Sequence, residues 1–304
     1  RGLLLGALRA AHKDPREVFT GEGHAPPVLA AGEGRGPEVG DLADSIRLDC
    51  PAWLAPDLRA SLGADFEPVM KALRDRARVM VRVNRRRASV AEAQASLEQG
   101  GIGTRPHPLS PFALEVVEGA RRVQGSTAYR SGQIELQDAA SQAVVDMLEA
   151  APGERVLDYC AGGGGKTLAL AATGAEVFAH DIDPGRMRDL PARAARAGVR
   201  APILAPGKVR DAAPFDLVFA DAPCSGSGAW RRAPEGKWRL TRARLDELRA
   251  IQASILDEIA GYVAPGGRLA YATCSLLTAE NGDQVQRFVA RNPGWRLDVE
   301  RRFT

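Results

Sequence analysis

From residue 137 onward, apolar positions alternate between short β-rich runs and longer helical patterns. Val144, Val145 and Leu148 predict the apolar face of an amphipathic helix over 137–148. Apolar runs of about four to eight residues are instead typical of buried strands. Such runs predict strands at 155–158, 175–179, 215–220 and 267–272, with helices at 168–172 and from 245 to 263. The alternation predicts an α/β domain with a Rossmann-like, doubly wound sheet.

The chain before residue 137 has a different pattern. A helical pattern at the start gives way to a stretch rich in Gly and Pro over 24–40, which is typical of a loop or linker. Later apolar positions predict a helix at 66–73, a strand at 78–84, a helix at 90–97 and a strand around 112–117. We therefore expect a helical segment and linker over 1–45, a small α+β domain over 46–126 and the Rossmann-like domain over 127–304.

The composition is that of a globular protein with a sizeable core, since 45% of the 304 residues are hydrophobic. Lysine and arginine total 41 against 38 aspartate and glutamate, and the net charge of +3 is too small to indicate nucleic-acid binding by itself. Arginines nevertheless cluster at 85–87, directly after the strand predicted at 78–84. This cluster is either a solvated charged edge or a surface that positions RNA phosphates.

The cysteine and histidine patterns favour neither a metal site nor a secreted disulfide scaffold. The chain has four cysteines, at positions 50, 160, 224 and 274, without a Cys-x-x-Cys pair, and only four histidines. Four thiols in a chain of this size fit a reducing cytoplasm. No apolar run approaches the roughly 20 residues of a membrane span, and Leu3–Leu5 is too short for a signal-peptide core. We expect a cytoplasmic monomer without a metal or a membrane partner.

A glycine-rich loop follows the strand predicted at 155–158, and residues 160–167 read Cys-Ala-Gly-Gly-Gly-Gly-Lys-Thr. A phosphate-binding P-loop would require glycine at position 160, where Cys160 stands. The loop is therefore either a tight turn without a ligand or a nucleoside-cofactor loop, for which Asp181 at the next strand end would bind ribose hydroxyls. S-adenosylmethionine fits better than a dinucleotide, because the Gly-x-Gly-x-x-Gly pattern of pyrophosphate sites is not needed to explain the loop.

Two thiols, Cys224 and Cys274, each follow a predicted strand. Cys224 lies in the stretch 221–228, Asp-Ala-Pro-Cys-Ser-Gly-Ser-Gly, and Cys274 lies in Thr273–Ser275. Ligands of open α/β sheets bind outside the carboxyl ends of the strands, so this shared placement favours a functional pair. Taken alone, each of these thiols is as often a small buried apolar side chain as a functional group. We interpret Cys50 and Cys160 as buried side chains of this structural kind.

Two thiols beside a methyl donor indicate methylation at carbon 5 of a pyrimidine. Carbon 5 is a poor nucleophile until a thiolate adds to carbon 6, and its proton must leave before the thiol is eliminated. One cysteine therefore acts as the nucleophile and the other assists release. Asp221 is placed to hydrogen-bond the base edge or the donor's ammonium group. Lys166 either lowers the pKa of a thiol, meets a phosphate or is a solvated lysine at a helix start.

These motifs resemble those of the RsmB/Nop2/Sun family of RNA 5-methylcytosine methyltransferases, over about residues 46–300. The stretches that carry the resemblance are Gln137–Gln142, Asp158–Thr167, Asp221–Gly228 and Thr273–Ser275. Further matches are the basic residues Arg231, Arg232, Lys237 and Trp238, the pair Glu280 and Asn281, and the strand residues Arg82–Asn84. The family loop usually reads Cys-Ala-Ala-Pro-Gly-Gly-Lys-Thr, from which Gly162 and Gly163 depart.

The resemblance implies a methyltransferase domain beside a small RNA-binding domain, S-adenosylmethionine as cofactor, and RNA, foremost ribosomal RNA, as substrate. It implies Cys274 as the nucleophile and Cys224 as the thiol needed for product release, with Asp221 and Lys166 at the active site. The cofactor-binding residues that it implies are Cys160, Ala161, Gly162, Gly163, Gly164, Lys166, Asp181, Arg186 and Asp221. The RNA-binding residues that it implies are Arg82, Asn84, Arg231, Arg232 and Lys237.

Three other functions remain open from the sequence. The same chemistry could act on transfer RNA, which mapping of 5-methylcytosine would reveal. A non-catalytic RNA-binding ribosome-assembly factor would tolerate the loss of Cys274 with its RNA affinity unchanged. A methyltransferase acting on protein or a small molecule would need neither thiol.

Overall fold

The computed structural model describes residues 2–31, 33 and 43–303. The chain forms two compact units, Arg1–Asp75 and Arg76–Thr304. Among the described helices, none is long and apolar enough to cross a bilayer.

The first unit is helical. Its apolar contacts include a cluster of Leu5, Leu8 and Phe19, and Cys50 is buried, as expected for a small apolar side chain. The linker predicted at 24–40 lies partly outside the described residues. The helices are α1 (Gly2–Ala10), α2 (Asp44–Arg47), α3 (Ala55–Leu62) and α4 (Phe66–Ala72), with 3-10 turns at Pro15–Glu17 and Gly63–Asp65. The helix predicted at 66–73 is thereby confirmed.

The second unit opens with a small antiparallel sheet. Its elements are β1 (Val79–Val83), α5 (Val90–Gln99), β2 (Thr104–Pro106), β3 (Ala113–Val116), a 3-10 turn at Ala120–Gly125, α6 (Thr127–Arg130) and β4 (Ile134–Leu136). The strand order is β2-β3-β1-β4. The strands predicted at 78–84 and 112–117 and the helix at 90–97 are confirmed. The strands β2 and β4 are only three residues long, too short for an alternating pattern to predict, and β4 lies beyond residue 126.

A parallel sheet in the order β6-β5-β7-β8 forms the rest of the second unit. The chain moves from β5 outward to β6 and then returns to the other side of β5, so the strand order reverses between β5 and β7. In open α/β sheets, ligands bind at the carboxyl ends of the strands at such a reversal. The elements are α7 (Ala139–Leu148), β5 (Arg155–Asp158), α8 (Gly165–Ala171), β6 (Glu176–Ala179), α9 (Leu190–Ala197), α10 (Val209–Ala212), β7 (Phe215–Asp221), α11 (Gly236–Arg239), α12 (Arg242–Ile259), β8 (Val263–Ala272) and α13 (Gly282–Arg291), with 3-10 turns at Pro184–Met187, Ser227–Ala229, Ala260–Tyr262 and Thr278–Glu280.

The boundary between α12 and β8 differs from the prediction. The helix expected to reach 263 ends at Ile259, and the strand expected from 267 already begins at Val263. The strand pairs with β7 across a register shift, with Val263 opposite Phe215 and Arg268 opposite Leu217. A Cβ on Gly267 would lie 2.8 Å from the Asp216 carbonyl oxygen, so glycine permits this close approach. The Pro-Gly-Gly stretch therefore forms a bulge inside the strand rather than the end of the helix.

Buried polar contacts join the small sheet to helix α9 within the second unit. The Asn84 amide nitrogen donates to the carbonyl oxygens of Ala197 at 2.8 Å and Gly132 at 3.0 Å. Glu135 of β4 forms an ion pair with Arg196 of α9 at 2.8 Å. These contacts fix the small sheet against the domain that carries the candidate site.

Candidate active site

The candidate active site lies where the parallel strands end. Asp158 ends β5, Asp181 follows β6, Asp221 ends β7, and Cys274 follows β8. Because the carboxyl ends of parallel strands meet at one edge of the sheet, these four side chains belong to the same region. The structure thus brings the predicted acids and thiols together at the edge where the strand order reverses.

The glycine loop after β5 depends on conformations that favour glycine. Gly162 and Gly164 have φ angles of 52° and 80°, in the left-handed region. A Cβ on Gly164 would also lie 2.4 Å from the Leu190 side chain. The loop is held by the Asp181 carboxylate, which accepts a hydrogen bond from the Gly162 amide at 2.9 Å.

The two acids beside this loop are fully buried. Asp181 pairs with Arg186 at 3.1 Å, so the predicted cofactor-binding residues 162, 181 and 186 lie in mutual contact. Asp158 accepts a hydrogen bond from the Thr167 hydroxyl at 2.6 Å, and burial raises its pKa to about 7. The other carboxylate oxygen of Asp158 is buried without a hydrogen-bond partner among the described residues. This oxygen can therefore accept a hydrogen bond from a donor group of a ligand.

Lys166 and Asp221 form an ion pair across the reversal point. The Lys166 amine donates to the Asp221 carboxylate at 2.6 Å, and 15% of the Lys166 side chain is exposed. The solvated alternative considered for Lys166 is therefore wrong. Cys160, next to the same loop, is half-buried, and burial raises the pKa of its thiol, which disfavours a reactive thiolate there.

The two thiols meet at the ends of β7 and β8. The Cys224 and Cys274 sulfurs are 3.4 Å apart, and Cys274 is the more exposed of the two. A backbone hydrogen bond of 2.8 Å from the Gly228 amide to the Cys274 carbonyl oxygen joins their loops. The sequence predicts that both thiols lie at strand ends, and the structure adds that they are in contact.

The contact shifts the pKa values of the two thiols in opposite directions. With Cys224 as hydrogen-bond donor, it lowers the pKa of Cys274 and raises the pKa of Cys224. Burial and the charge of Asp221 act in the opposite direction, while the charges of Lys166 and Arg232 lower the pKa of Cys274 further, and the net shift is downward. Cys274 is therefore the thiol that more readily becomes a nucleophilic thiolate.

The residues expected to bind RNA do not share one surface. Arg232 is exposed and pairs with Asp138 at 2.6 Å, while Arg231 donates to the Arg76 carbonyl oxygen at 3.2 Å. Arg82, Asn84 and Lys237 are instead buried. Arg82 donates to the Gly165 carbonyl oxygen at 3.3 Å, and burial lowers its pKa to about 10. The structure thus gives Arg82 and Asn84 contacts inside the protein, which an alternating strand pattern does not distinguish from an exposed basic edge.

A partly buried polar cluster beside the thiols was not assigned a role from the sequence. It contains Ser225, Ser275 and Glu280, which contact one another. A serine directly after each cysteine was the available signal in the sequence. The described residues contain no group of three or more histidine, cysteine, aspartate or glutamate side chains arranged to hold a metal ion.

Comparison with known proteins gives the family. A family model described as 16S rRNA methyltransferase RsmB/F matches residues 145–303, and a model of the RsmF/B-like ferredoxin-like domain matches residues 50–124. The chain belongs to the RsmB/F methyltransferase family. The family resemblance seen in the sequence and the predicted Rossmann-like fold class are thereby confirmed. Membership of this methyltransferase family supports S-adenosylmethionine as the cofactor.

Individual relatives of this RsmB/F chain agree with the family models. Ribosomal RNA small subunit methyltransferase B of Cronobacter sakazakii is 34% identical over 259 residues, or 82% of this chain and 59% of that protein. The Klebsiella pneumoniae protein of the same name is 36% identical over 250 residues, which cover 80% of this chain and 58% of the Klebsiella protein. The chain thus spans less than two thirds of these relatives. The crystal structure of a methyltransferase homolog protein from Pyrococcus horikoshii superposes with a TM-score of 0.71 at 25% identity, covering 82% of this chain and 81% of that one.

Proposed function

We propose that the protein is an S-adenosylmethionine-dependent RNA (cytosine-5)-methyltransferase that acts on ribosomal RNA. The observation that carries the proposal is the contact of 3.4 Å between the Cys224 and Cys274 sulfurs at the strand ends beside the glycine loop. Family membership supports methyl transfer, and the names of the curated relatives favour ribosomal RNA. A methyltransferase acting on protein or a small molecule would have no use for a pair of thiols in contact.

The residues beside the glycine loop fit S-adenosylmethionine. The buried Asp181 carboxylate suits the ribose hydroxyls, and the unpartnered oxygen of Asp158 suits a donor such as an ammonium group. The backbone is bare of side chains at residues 162–165, where a nucleoside could approach it closely. Cys160, Ala161, Gly163 and Arg186 complete the proposed binding residues. The bound donor supplies an electrophilic methyl group.

Cys274 is the proposed nucleophile. Its thiolate would add to carbon 6 of cytosine, and the ring electrons displaced by the new sulfur–carbon bond would make carbon 5 nucleophilic enough to take the methyl group, whose bond to the donor's sulfur breaks with the electron pair staying on that sulfur. The lowered pKa of Cys274 raises the thiolate fraction at neutral pH, and its exposure leaves room for a base.

Cys224 is the proposed base for product release. The adduct decomposes when the carbon 5 proton passes to the Cys224 thiolate, the double bond re-forms and Cys274 leaves as a thiolate. The neighbouring Cys274 sulfur raises the pKa of Cys224 in the free protein. Once Cys274 is bonded to carbon, it carries no negative charge, so the pKa of Cys224 falls at the step where Cys224 must lose its proton.

Lys166 and Asp221 have proposed supporting roles. Asp221 ends β7, three residues before Cys224, and its carboxylate is held there by the ion pair of 2.6 Å with Lys166. Asp221 would accept hydrogen bonds from the base edge, while Lys166 orients this carboxylate and lowers the pKa of Cys274. The partly exposed Arg231 and exposed Arg232 are the proposed RNA contacts, because their side chains still reach the surface.

The proposal is tested by methyl transfer to RNA that carries no modifications. We expect tritium from labelled S-adenosylmethionine in small-subunit ribosomal RNA and, after digestion, in 5-methylcytidine. Label in transfer RNA alone would show that transfer RNA is the substrate, and the proposed reaction at carbon 5 would still stand. Binding of ribosomal RNA without label in any nucleoside would contradict the proposal and favour an assembly factor.

A further inference from the structure

Glu280 lies in the 3-10 turn Thr278–Glu280, and its side chain is fully buried. One of its carboxylate oxygens accepts a hydrogen bond from the Ser225 amide at 2.8 Å. The other accepts hydrogen bonds from the hydroxyls of Ser225 and Ser275, both at 2.5 Å. Since Ser225 follows Cys224 and Ser275 follows Cys274, a single carboxylate is bonded to both thiol loops.

Two helices hold this carboxylate in place. Gln252 of α12 is fully buried, and its amide nitrogen donates to Glu280 at 3.0 Å and to the Pro223 carbonyl oxygen at 2.9 Å. Gln284 of α13 donates to the Gln252 side-chain oxygen at 3.1 Å. Pro223 directly precedes Cys224, so the Cys224 loop is bonded on both sides of its thiol.

The burial of Glu280 makes these contacts costly to break. The groups that donate to it are neutral, and a buried carboxylate is tolerated only when its oxygens are hydrogen-bonded. Moving either thiol loop away would leave a buried carboxyl oxygen without one of its hydrogen-bond partners. The network therefore resists separation of the loops.

We propose that Glu280 is a positioning residue that sets the distance between the Cys224 and Cys274 sulfurs. It keeps the release thiol within reach of carbon 5 while the nucleophile is bonded to carbon 6. This inference rests on the proposed roles of the two cysteines. It assigns Glu280 no contact with RNA or with the methyl donor.

Disulfide formation measures the distance between the thiols without any substrate. With diamide as oxidant, each thiol loses its proton, a sulfur–sulfur bond of about 2.05 Å forms, and two electrons and two protons reduce the diamide double bond to a hydrazine. The sulfurs start 3.4 Å apart, so we expect rapid oxidation of the wild-type pair. Mass spectrometry of peptides identifies the link between residues 224 and 274.

Glu280→Gln is the informative variant, with Glu258→Gln as its matched control. Glutamine replaces one accepting oxygen with an amide nitrogen, so the groups that donate to that oxygen, either the Ser225 amide and Gln252 or the two serine hydroxyls, lose their acceptor. We expect disulfide formation and kcat to fall at least about tenfold, with KM for RNA close to wild type and the Tm only slightly lowered. Glu258 is exposed and accepts from the Tyr262 hydroxyl, so its variant should oxidise like wild type.

Wild-type rates of oxidation and methylation in Glu280→Gln would overturn the inference. Loss of activity together with a large drop in Tm would also overturn it, in favour of a purely structural role. If Glu280→Gln does not fold, Ser225→Ala removes the hydroxyl that donates to Glu280 and should slow oxidation severalfold; an unchanged rate there would overturn the inference. A wild-type protein that oxidises rapidly but methylates no RNA would refute the proposed function. The oxidation rates would still show whether Glu280 sets the distance between the two sulfurs.

Discussion

The Cys224 and Cys274 sulfurs lie 3.4 Å apart, close enough for one thiol to donate a hydrogen bond to the other. Cys224 as donor lowers the pKa of Cys274 and raises its own. Two chemically identical side chains thereby acquire the different proton affinities that a nucleophile and a base require. The proposed roles of the two thiols therefore depend on their contact as well as on their positions in the chain.

Removal of the Cys224 donor should reduce the reactivity of Cys274. In Cys224→Ala the hydrogen bond is lost, so the pKa of Cys274 rises and its alkylation by iodoacetamide slows at pH 7. At a pH above both pKa values the two rates converge. Rates for the residue 274 peptide from pH 6 to 10 measure the shift. Cys224→Ser retains a hydroxyl donor and should fall between wild type and Cys224→Ala; superimposable pH profiles would contradict the hydrogen bond.

At the scale of elements, the β7 and β8 loops are joined by backbone as well as side chains. The Gly228 amide donates to the Cys274 carbonyl oxygen, and a Cβ on Gly228 would lie 2.9 Å from that oxygen. Real Cβ atoms do not approach a backbone oxygen so closely, so only glycine fits there without displacing the loop.

Gly228→Ala should therefore impair catalysis by displacing the Cys274 loop. A displacement near 1 Å costs roughly a hundredfold in rate in well-aligned sites, and we expect at least about a tenfold loss of kcat. Gly261→Ala is the control, because a Cβ there would meet nothing within 4 Å. The test is to compare the methylation rates and Tm values of Gly228→Ala and Gly261→Ala. Equal activity would show that the loop accommodates the methyl group.

Strands and thiols were predictable from the sequence where the pattern is local. The strand at 155–158 and the cysteines at the strand ends follow from apolar runs and their neighbours. The bulge in β8 was not predictable, because it depends on pairing with β7 across a register shift. Burial of Arg82 and Asn84 was likewise hidden, since it depends on packing against residues more than 80 positions away.

At the scale of the whole second unit, a few polar contacts join its two sheets. Asn84 is buried at this junction and donates to the carbonyl oxygens of Gly132 and Ala197. A buried amide with this many partners stabilises the folded chain, because its removal leaves carbonyl oxygens unsatisfied.

Asn84→Ala should lower the free energy of unfolding by about 1–3 kcal/mol. The exposed neighbour Arg86→Ala should change it by less than about 0.5 kcal/mol. Urea unfolding of both variants measures the difference. A stable Asn84→Ala protein with weakened RNA binding would instead restore the RNA-contact role predicted from the sequence.

The most direct test of the paired-thiol mechanism is covalent trapping of RNA. Wild type, Cys224→Ala and Cys274→Ala are incubated with S-adenosylmethionine and unmodified ribosomal RNA and separated on a denaturing protein gel. We predict a slower, RNA-linked band for Cys224→Ala alone, because methylation proceeds but the carbon 5 proton is not removed. A trapped band for Cys274→Ala alone would reverse the two roles. No adduct in any lane, with RNA shown to bind, would contradict covalent catalysis by these thiols.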